Sequence, residues 1–230
     1  RIEAAGSSVL TLAADVADRP ALAAALERVR DELGGLDVVV HAAGVPGGGA
    51  LEHKSLAAAW EVMAPKVQGT RHLWELTRED DLSALVLCSS LAAEIGGFGQ
   101  VDYVAANAFQ DAFAAAHRDD DSLRVIDWDT WSETGMAVDV PVPTALEAER
   151  AESLRLGLRT AEAQDLFLRV LASREPRVLV STTPLAPRLA GGATARVPGS
   201  PASTGVTASP SDPYTGDTRN ETPPTGEARP

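Results

Sequence analysis

The stretch ALVLCSSLAAEIGGFGQVDYVAANAFQDAF, residues 84–113, predicts a buried strand, a glycine-rich loop and a helix, in that order. Ser90 closes the apolar strand pattern, and Tyr103 follows thirteen positions later. Asn107 comes four positions after Tyr103, so a helix places the phenol and the carboxamide one turn apart on one face. A hydroxyl at a strand end and a phenol on the next helix suit the delivery of a proton to a carbonyl oxygen.

Strand and helix patterns alternate along most of the chain. Apolar runs predict buried strands at five places, 9–14, 37–42, 84–89, 123–128 and 177–181. Capping residues such as Asp18 and Ser55 and apolar residues at helical spacing predict helices between them, over 18–33, 55–76, 101–118, 145–156 and 160–172. This alternation is typical of a parallel sheet with helices on both faces, so the predicted fold class is α/β.

Composition argues against several classes of function. The chain has 230 residues, of which 44% are hydrophobic, as in an ordinary globular protein. Its net charge of −13 argues against nucleic acid or an anionic membrane surface as a partner, because like charges repel. The single cysteine, Cys88, excludes an internal disulfide and a cysteine-based zinc site, and no metal is predicted. The sequence has no signal peptide and no stretch typical of a membrane span, so a cytoplasmic protein is expected.

The composition changes near the end of the chain. After about Leu189, glycine, proline, serine and threonine dominate, and apolar residues no longer recur with any period. A segment of this kind buries too little apolar surface to fold. We therefore expect one domain over residues 1–189 and a disordered linker over residues 190–230.

A phenol needs help to act as an acid near neutral pH. A nearby ammonium favours the phenolate and so makes the phenol a stronger acid. Lys66, in the segment MAPKVQGT of residues 63–70, is the candidate for this cation. Lys66, Ser90, Tyr103 and Asn107 together closely resemble the ketoreductase domains of modular type I polyketide synthases, a branch of the short-chain dehydrogenase/reductase family. Most of the wider family carries a lysine at the position of Asn107, and the polyketide branch resembles this chain in having the lysine and the asparagine exchanged.

The resemblance implies a reaction and a role for each of the four residues. It implies NADPH-dependent reduction of a carrier-bound β-ketoacyl thioester to a β-hydroxyacyl thioester. Tyr103 would donate the proton, Ser90 would orient the carbonyl, and Lys66 would strengthen the phenol as an acid. Asn107 would position Lys66 or a relay water. The implied partners are an acyl carrier domain with a phosphopantetheine arm and the other domains of a synthase.

Other segments resemble the family's ligand contacts. The resemblance implies cofactor contacts from two residues at the end of the first predicted strand, four in the turn after the second and one at the end of the fourth, namely Asp15, Val16, His41, Ala42, Ala43, Gly44 and Trp128. It implies substrate contacts from Gln100, Trp131 and Met136. Simpler interpretations stay open: Asp15 as a turn residue, His41 as a strand-end histidine, and Trp128 as an anchor of its loop on the core.

The glycine fingerprint of dinucleotide-binding proteins, G-x-G-x-x-G after a first strand, is absent from the sequence. In the resembled family it precedes the position that corresponds to Arg1. We therefore expect a Rossmann-like, doubly wound parallel sheet that lacks its first βαβ segment, and NADPH is implied by resemblance alone. Whether such a truncated piece folds or reacts alone is left open. Two alternatives also remain, a catalytically silent domain of a large synthase and a free-standing short-chain dehydrogenase.

Overall fold

A computed structural model describes residues 2–140 and 142–192, which all belong to one compact unit, Arg1–Ala195. Within the described residues the chain forms a single four-stranded sheet whose strands follow chain order and are all parallel. The strands are β1 (Val38–His41), β2 (Ala84–Ser90), β3 (Leu123–Trp128) and β4 (Arg177–Leu179).

Helices occupy the connections between the strands. They are α1 (Arg19–Leu33), α2 (Leu56–Leu76), α3 (Ala92–Ile95), α4 (Val101–Ala116), α5 (Met136–Asp139), α6 (Glu147–Leu156), α7 (Thr160–Ala172) and α8 (Leu185–Gly192). Short 3-10 turns lie at Glu3–Ala5, Leu51–His53 and Thr144–Leu146. The described part of the chain contains no helix that is both long and apolar enough to cross a membrane.

The two predicted caps start the two long helices before β2. The Asp18 side chain accepts a hydrogen bond from the backbone N–H of Ala21 at 3.1 Å, which satisfies one of the free donors at the start of α1. The Ser55 hydroxyl does the same for Ala58 at the start of α2, also at 3.1 Å. Gly34 caps the end of α1, and its φ of +86° is a left-handed conformation that favours glycine.

Two apolar clusters lie on opposite faces of the sheet. Leu85 and Leu87 of β2 belong to a cluster with residues of α1, α2 and α4. Ala84 and Val86, which alternate with them and so point to the opposite face, belong to a second cluster with residues of α7. Helices therefore cover both faces of a parallel sheet, and the predicted α/β fold class is confirmed.

The parallel strands bring their carboxyl ends to one edge of the sheet. In the β2–β3 pairing, Ser90 lies opposite Trp128, and in the β1–β2 pairing His41 lies opposite Leu87. Parallel α/β sheets bind their ligands at this edge, because the loops after the strands converge there. The edge therefore gathers the predicted site residues that follow β1, β2 and β3.

The predicted buried strand at residues 9–14 is wrong. Residues 7–15 form no strand, and Val9 is 46% exposed. A strand is maintained by hydrogen bonds to a neighbouring strand, and this segment is not paired with the sheet.

The prediction of a buried strand over 37–42 is right about the strand but wrong about its burial. Val38 and Val40 of β1 are 41% and 47% exposed, because β1 is the edge strand and α7 packs against the other strands.

Smaller differences concern the ends of elements. β4 is two residues shorter than predicted, and α4 ends at Ala116 rather than at residue 118. The short helices α3 and α5 were not predicted, since four residues show no apolar period. Helix α8, Leu185–Gly192, is not predicted either, and it continues past the predicted start of the linker at residue 190. The rest of the predicted linker lies outside the described residues.

Candidate active site

Lys66 lies in the middle of α2, and only 5% of its surface is exposed. Its Nζ donates a hydrogen bond to the carbonyl oxygen of Cys88 in β2, at 2.6 Å, and another to Oε1 of Gln110 in α4, at 3.1 Å. The ammonium therefore joins the strand that ends at Ser90 to the helix that carries Tyr103. Burial lowers the pKa of Lys66 to about 8, although the charges of Cys88 and Asp111 act in the opposite direction and raise this pKa.

Tyr103 and Asn107 occupy the first two turns of α4, as the sequence predicts. Tyr103 is half-buried, whereas Asn107 is completely buried. Nδ2 of Asn107 donates a hydrogen bond to the backbone oxygen of Tyr103 at 2.7 Å, and its Oδ1 has no partner among the described residues. A buried carbonyl oxygen without a donor suits a bound water. The acceptors that hold Lys66 are those of Cys88 and Gln110, rather than that of Asn107.

Ser90 is the last residue of β2 and is half-buried. Its Oγ accepts a hydrogen bond from the backbone N–H of Ala92 at 3.2 Å, which leaves the hydroxyl proton available for a ligand. The preceding residue, Ser89, donates its hydroxyl to the backbone oxygen of Asn107 at 3.3 Å. This bond ties the end of the serine strand to the same turn of α4 that carries the buried carboxamide.

Two glycines after β1 permit a close approach to the lysine and the tyrosine. A Cβ on Gly44 would lie 3.3 Å from Cε of Lys66, 3.9 Å from its Nζ and 3.4 Å from Cε of Met136. A Cβ on Gly47 would lie 2.8 Å from Cβ of Tyr103 and 2.7 Å from Oδ1 of Asp102. The loop after β1 thus packs against both side chains, and α5 supplies Met136 from the other side. The structure therefore brings three of the predicted site residues, at 44, 66 and 136, to one place, and the same loop also approaches Tyr103.

A buried ion pair that the sequence did not indicate holds this loop. Nζ of Lys54 donates hydrogen bonds to Oδ2 of Asp102 and, at 2.5 Å, to the backbone oxygen of Gly48. The side chains of Lys54 and Asp102 are 7% and 0% exposed. Because Asp102 precedes Tyr103, the pair fastens the loop after β1 to the first turn of the tyrosine helix.

Gln110 is a second residue that sequence reasoning missed. It is fully buried, and its Nε2 donates a hydrogen bond to Oγ1 of Thr70 at 3.2 Å while its Oε1 accepts from Lys66. A signal for it does exist, since Gln110 follows Tyr103 by seven positions and Asn107 by three, which is the same helical face. A polar residue on that face of an otherwise alanine-rich helix indicates a buried hydrogen-bonding partner.

The structure gives His41 and Asp15 local roles within the fold, His41 as a buried hydrogen-bond donor and Asp15 as a turn residue. Nε2 of His41 lies 3.1 Å from the backbone oxygen of Pro65, to which it donates a hydrogen bond. Burial and the nearby charge of Lys66 lower the pKa of His41 to about 4, so its imidazole is neutral at pH 7. Oδ1 of Asp15 accepts from the N–H of Ala17 at 2.9 Å, which is the role of a turn residue. The cofactor contacts of Asp15, Val16 and His41 stay predictions.

The predicted contacts of Trp128, Trp131 and Gln100 also stay predictions. The two indole rings lie edge to face, with centroids 5.3 Å apart, and both pack against the apolar cluster under α7. The Gln100 side chain folds over Gly97 in the loop before α4. Ala42 and Ala43 follow β1, where Ala42 is exposed and Ala43 half-buried.

The chain is similar to known proteins over most of its length. The family model for the KR domain matches residues 1–133. Polyketide synthase PksL of Bacillus subtilis (strain 168) is 32% identical over 188 residues, which are 80% of this chain and 4% of that synthase. The spectinabilin polyketide synthase system protein NorA′ of Streptomyces orinoci is 40% identical over 171 residues, 73% of this chain and 5% of that protein.

A solved ketoreductase structure also resembles this chain. The ketoreductase from the first module of phoslactomycin biosynthesis in a Streptomyces species superimposes with a TM-score of 0.71 at 27% identity. The match covers 85% of this chain and 44% of that one. The chain thus spans about a twentieth of the curated synthases and under half of the solved ketoreductase. A KR family match over more than half of its length places the chain in the ketoreductase domains of polyketide synthases, a branch of the short-chain dehydrogenase/reductase superfamily.

Proposed function

We propose that the protein containing this chain reduces a β-ketoacyl thioester, carried on a phosphopantetheine arm, to the β-hydroxyacyl thioester with NADPH. The observation that supports this most is the position of Lys66. Its buried ammonium is bonded to the strand of Ser90 and to the helix of Tyr103 at the same time. A cation at this junction strengthens the phenol as a proton donor.

Tyr103, Ser90 and Asn107 would each help to neutralise the negative charge that develops on the carbonyl oxygen. When hydride reaches the carbonyl carbon, negative charge develops on the oxygen, and Tyr103 donates the proton that neutralises it. Ser90, whose hydroxyl proton is free, donates a hydrogen bond to the same oxygen. The unpartnered Oδ1 of Asn107 would hold a water that returns a proton toward the phenol.

The residues after β1 support a binding place for the nicotinamide end of the cofactor. Ala42, Ala43 and Gly44 carry small or no side chains, and a Cβ on Gly44 would enter the space beside the Lys66 ammonium. The protein groups give Lys66 two acceptors, so one of its three N–H donors remains for a ribose hydroxyl. NADPH, when bound, supplies the hydride. No glycine fingerprint for its pyrophosphate occurs in this sequence.

The experiment that tests the proposal measures NADPH consumption by the purified protein that contains this chain. The substrate is a β-ketoacyl group on a phosphopantetheine-loaded carrier domain, and the same acyl group on a short thiol serves for comparison. We expect consumption with both, and a lower KM with the carrier. No consumption above that of a Tyr103→Phe variant would instead support a catalytically silent domain. Equal KM values with carrier and short thiol would support a free-standing dehydrogenase.

The loop after β1 offers a test with a matched control. In Gly47→Ala the new Cβ would collide with Tyr103 and Asp102, so the loop must move away from the phenol. A displacement of about 1 Å at a reacting group costs up to about 100-fold in rate, and we expect kcat/KM to fall by at least about tenfold. In Gly48→Ala the new Cβ meets no atom within 4 Å, and kcat/KM should change by less than about twofold. Equal losses in both variants would argue against a close approach of this loop to Tyr103.

A further inference from the structure

Arg177, the first residue of β4, forms hydrogen bonds to three carboxylates on three different elements. Its Nε and Nη2 donate to Oδ2 of Asp127 in β3, at 2.9 and 2.6 Å. The same Nη2 donates to Oδ2 of Asp111 in α4, at 3.0 Å, and to Oε1 of Glu94 in α3, at 2.5 Å. Arginine is suited to this role because its planar fork of donors reaches several acceptors at once.

The three carboxylates belong to the elements that carry the proposed reacting groups. Glu94 lies four residues after Ser90, in the short helix that begins where the serine strand ends. Asp111 lies eight residues after Tyr103 in α4, and so about two turns further along the same helix. Asp127 precedes Trp128, which is opposite Ser90 in the sheet. One guanidinium therefore links the turn after the serine, the tyrosine helix and the sheet.

The buried carboxylates of this cluster depend on the guanidinium for compensation of their charge. Asp127 and Asp111 are buried, with 0% and 8% of their surfaces exposed, and Oδ1 of each has no hydrogen-bond partner among the described residues. Oxygen atoms of Glu94, Asp111 and Asp127 lie within 4.8 Å of one another, a spacing that a cation can bridge. The guanidinium, bonded to all three, supplies that cation from the chain itself. Loss of Arg177 would leave two buried carboxylates without compensation.

The cluster also acts on Lys66. Burial and the neighbouring charge of Asp127 raise the pKa of Asp111 well above its ordinary value, while the charge of Arg177 opposes this. The carboxylate of Asp111 in turn raises the pKa of Lys66. Arg177 therefore favours the charged form of Asp111, and charged Asp111 favours the ammonium of Lys66.

We propose that Arg177 is a positioning residue for the reduction: it fixes the turn after Ser90 and the helix of Tyr103 to the sheet, so that both hydroxyls meet one carbonyl oxygen. This inference rests on the proposed function. It goes beyond the four predicted catalytic residues, because Arg177 lies at the opposite end of β4 from the ligand edge and acts through three other side chains.

Four variants of the protein that contains this chain test the inference. Arg177→Met removes the fork, and Arg177→Lys keeps a charge but gives up the planar geometry. Glu94→Gln removes the charge from the tie to α3 and so weakens it to a neutral hydrogen bond, and because Glu94 is partly exposed this variant leaves the buried pair intact. Arg169→Met is the matched control, since Arg169 forms an exposed pair with Asp165 on α7. Each is assayed for kcat, KM, NADPH binding and the pH dependence of kcat.

We expect Arg177→Met to lower kcat by at least about tenfold while NADPH binding stays within about threefold, because positioning rather than binding is lost.

The alkaline limb in the pH profile of kcat should move to lower pH in Arg177→Met. The charged groups that face Asp111 are Asp127, Arg177, Glu94 and Lys66, and without Arg177 the carboxylate is more often protonated and supports the ammonium less. Arg177→Lys should recover part of kcat and the pH limb. Glu94→Gln should lower kcat about threefold with the limb in place, and Arg169→Met should match the wild type.

Wild-type kcat in both Arg177→Lys and Glu94→Gln would overturn the inference, as would a wild-type kcat and pH profile in Arg177→Met. If Arg177→Met does not fold, Glu94→Gln and Arg177→Lys decide together, because an unchanged kcat in both shows that the charge-assisted tie to α3 is not needed. A wild-type protein that consumes no NADPH would reject the proposed function itself. An active wild type with unaffected variants would reject only the role of Arg177.

Discussion

Replacing Tyr103 by Phe is expected to lower the rate of ketone reduction by about 10²- to 10⁴-fold, the range that a positioned proton donor contributes. The substitution removes one oxygen atom and leaves the ring on α4. Binding of NADPH should change by less than about threefold, since the predicted cofactor contacts come from other residues. Stopped-flow or steady-state oxidation of NADPH measures the first effect, and fluorescence titration of the bound nicotinamide measures the second.

The chain provides a matched control for this variant in its other tyrosine, Tyr214, which lies outside the described residues. Tyr214→Phe makes the same chemical change and should leave kcat within about twofold of the wild type. Wild-type turnover in Tyr103→Phe would remove the phenol from the reaction and return Tyr103 to a packing role. A proportional loss of NADPH binding would mean that the hydroxyl acts in binding rather than in proton transfer.

Replacing Lys66 by Met is expected to lower kcat at neutral pH by about 10²-fold and to change the shape of the pH profile. In the wild type, the pKa of Lys66 is lowered to about 8 by burial, so the ammonium loses its proton as the pH rises through about 8. The phenol then becomes a weaker acid, and the rate of reduction falls. In Lys66→Met this limb near pH 8 should disappear, and the remaining alkaline limb should lie at higher pH. The profile of kcat between pH 6 and 10 measures both effects.

Arg71→Met on the same helix is the control for Lys66→Met. Its side chain is 61% exposed, and within the described part of the chain it pairs with Glu75 at 3.9 Å, so its removal should leave the pH profile unchanged. Lys66→Arg adds a second comparison, because a guanidinium keeps its charge across this pH range and should also abolish the limb near pH 8. An unchanged limb in Lys66→Met would identify another group as its source and would make Lys66 a buried structural cation.

The sequence indicates most of the fold because its elements have strong local signals. Caps at Asp18 and Ser55, a glycine after α1 and the apolar runs of β2 and β3 define the elements to within one or two residues. Their alternation is sufficient to predict a parallel sheet with helices on both faces. The prediction fails at residues 9–14, where the local pattern is that of a strand but no ladder partner lies beside it in the described chain.

For the candidate site, the sequence by itself determined which residue types follow which strand. Ser90 at a strand end, Tyr103 and Asn107 on one helical face and Lys66 on the preceding helix all depend on spacing within short segments. Gln110 was within reach of the same argument. Sequence spacing also predicts that the loops after parallel strands converge at one edge, which brings Gly44 and Met136 toward Lys66.

Only the tertiary structure decided how these residues are held. The acceptors of Lys66 lie 22 and 44 positions away, Lys54 pairs with Asp102 across 48, and Arg177 reaches back by 50, 66 and 83 positions to its three carboxylates. No periodicity relates residues at such separations. A charged side chain in a sequence is most simply a surface charge, and whether it becomes buried and paired depends on which elements the strand order places side by side.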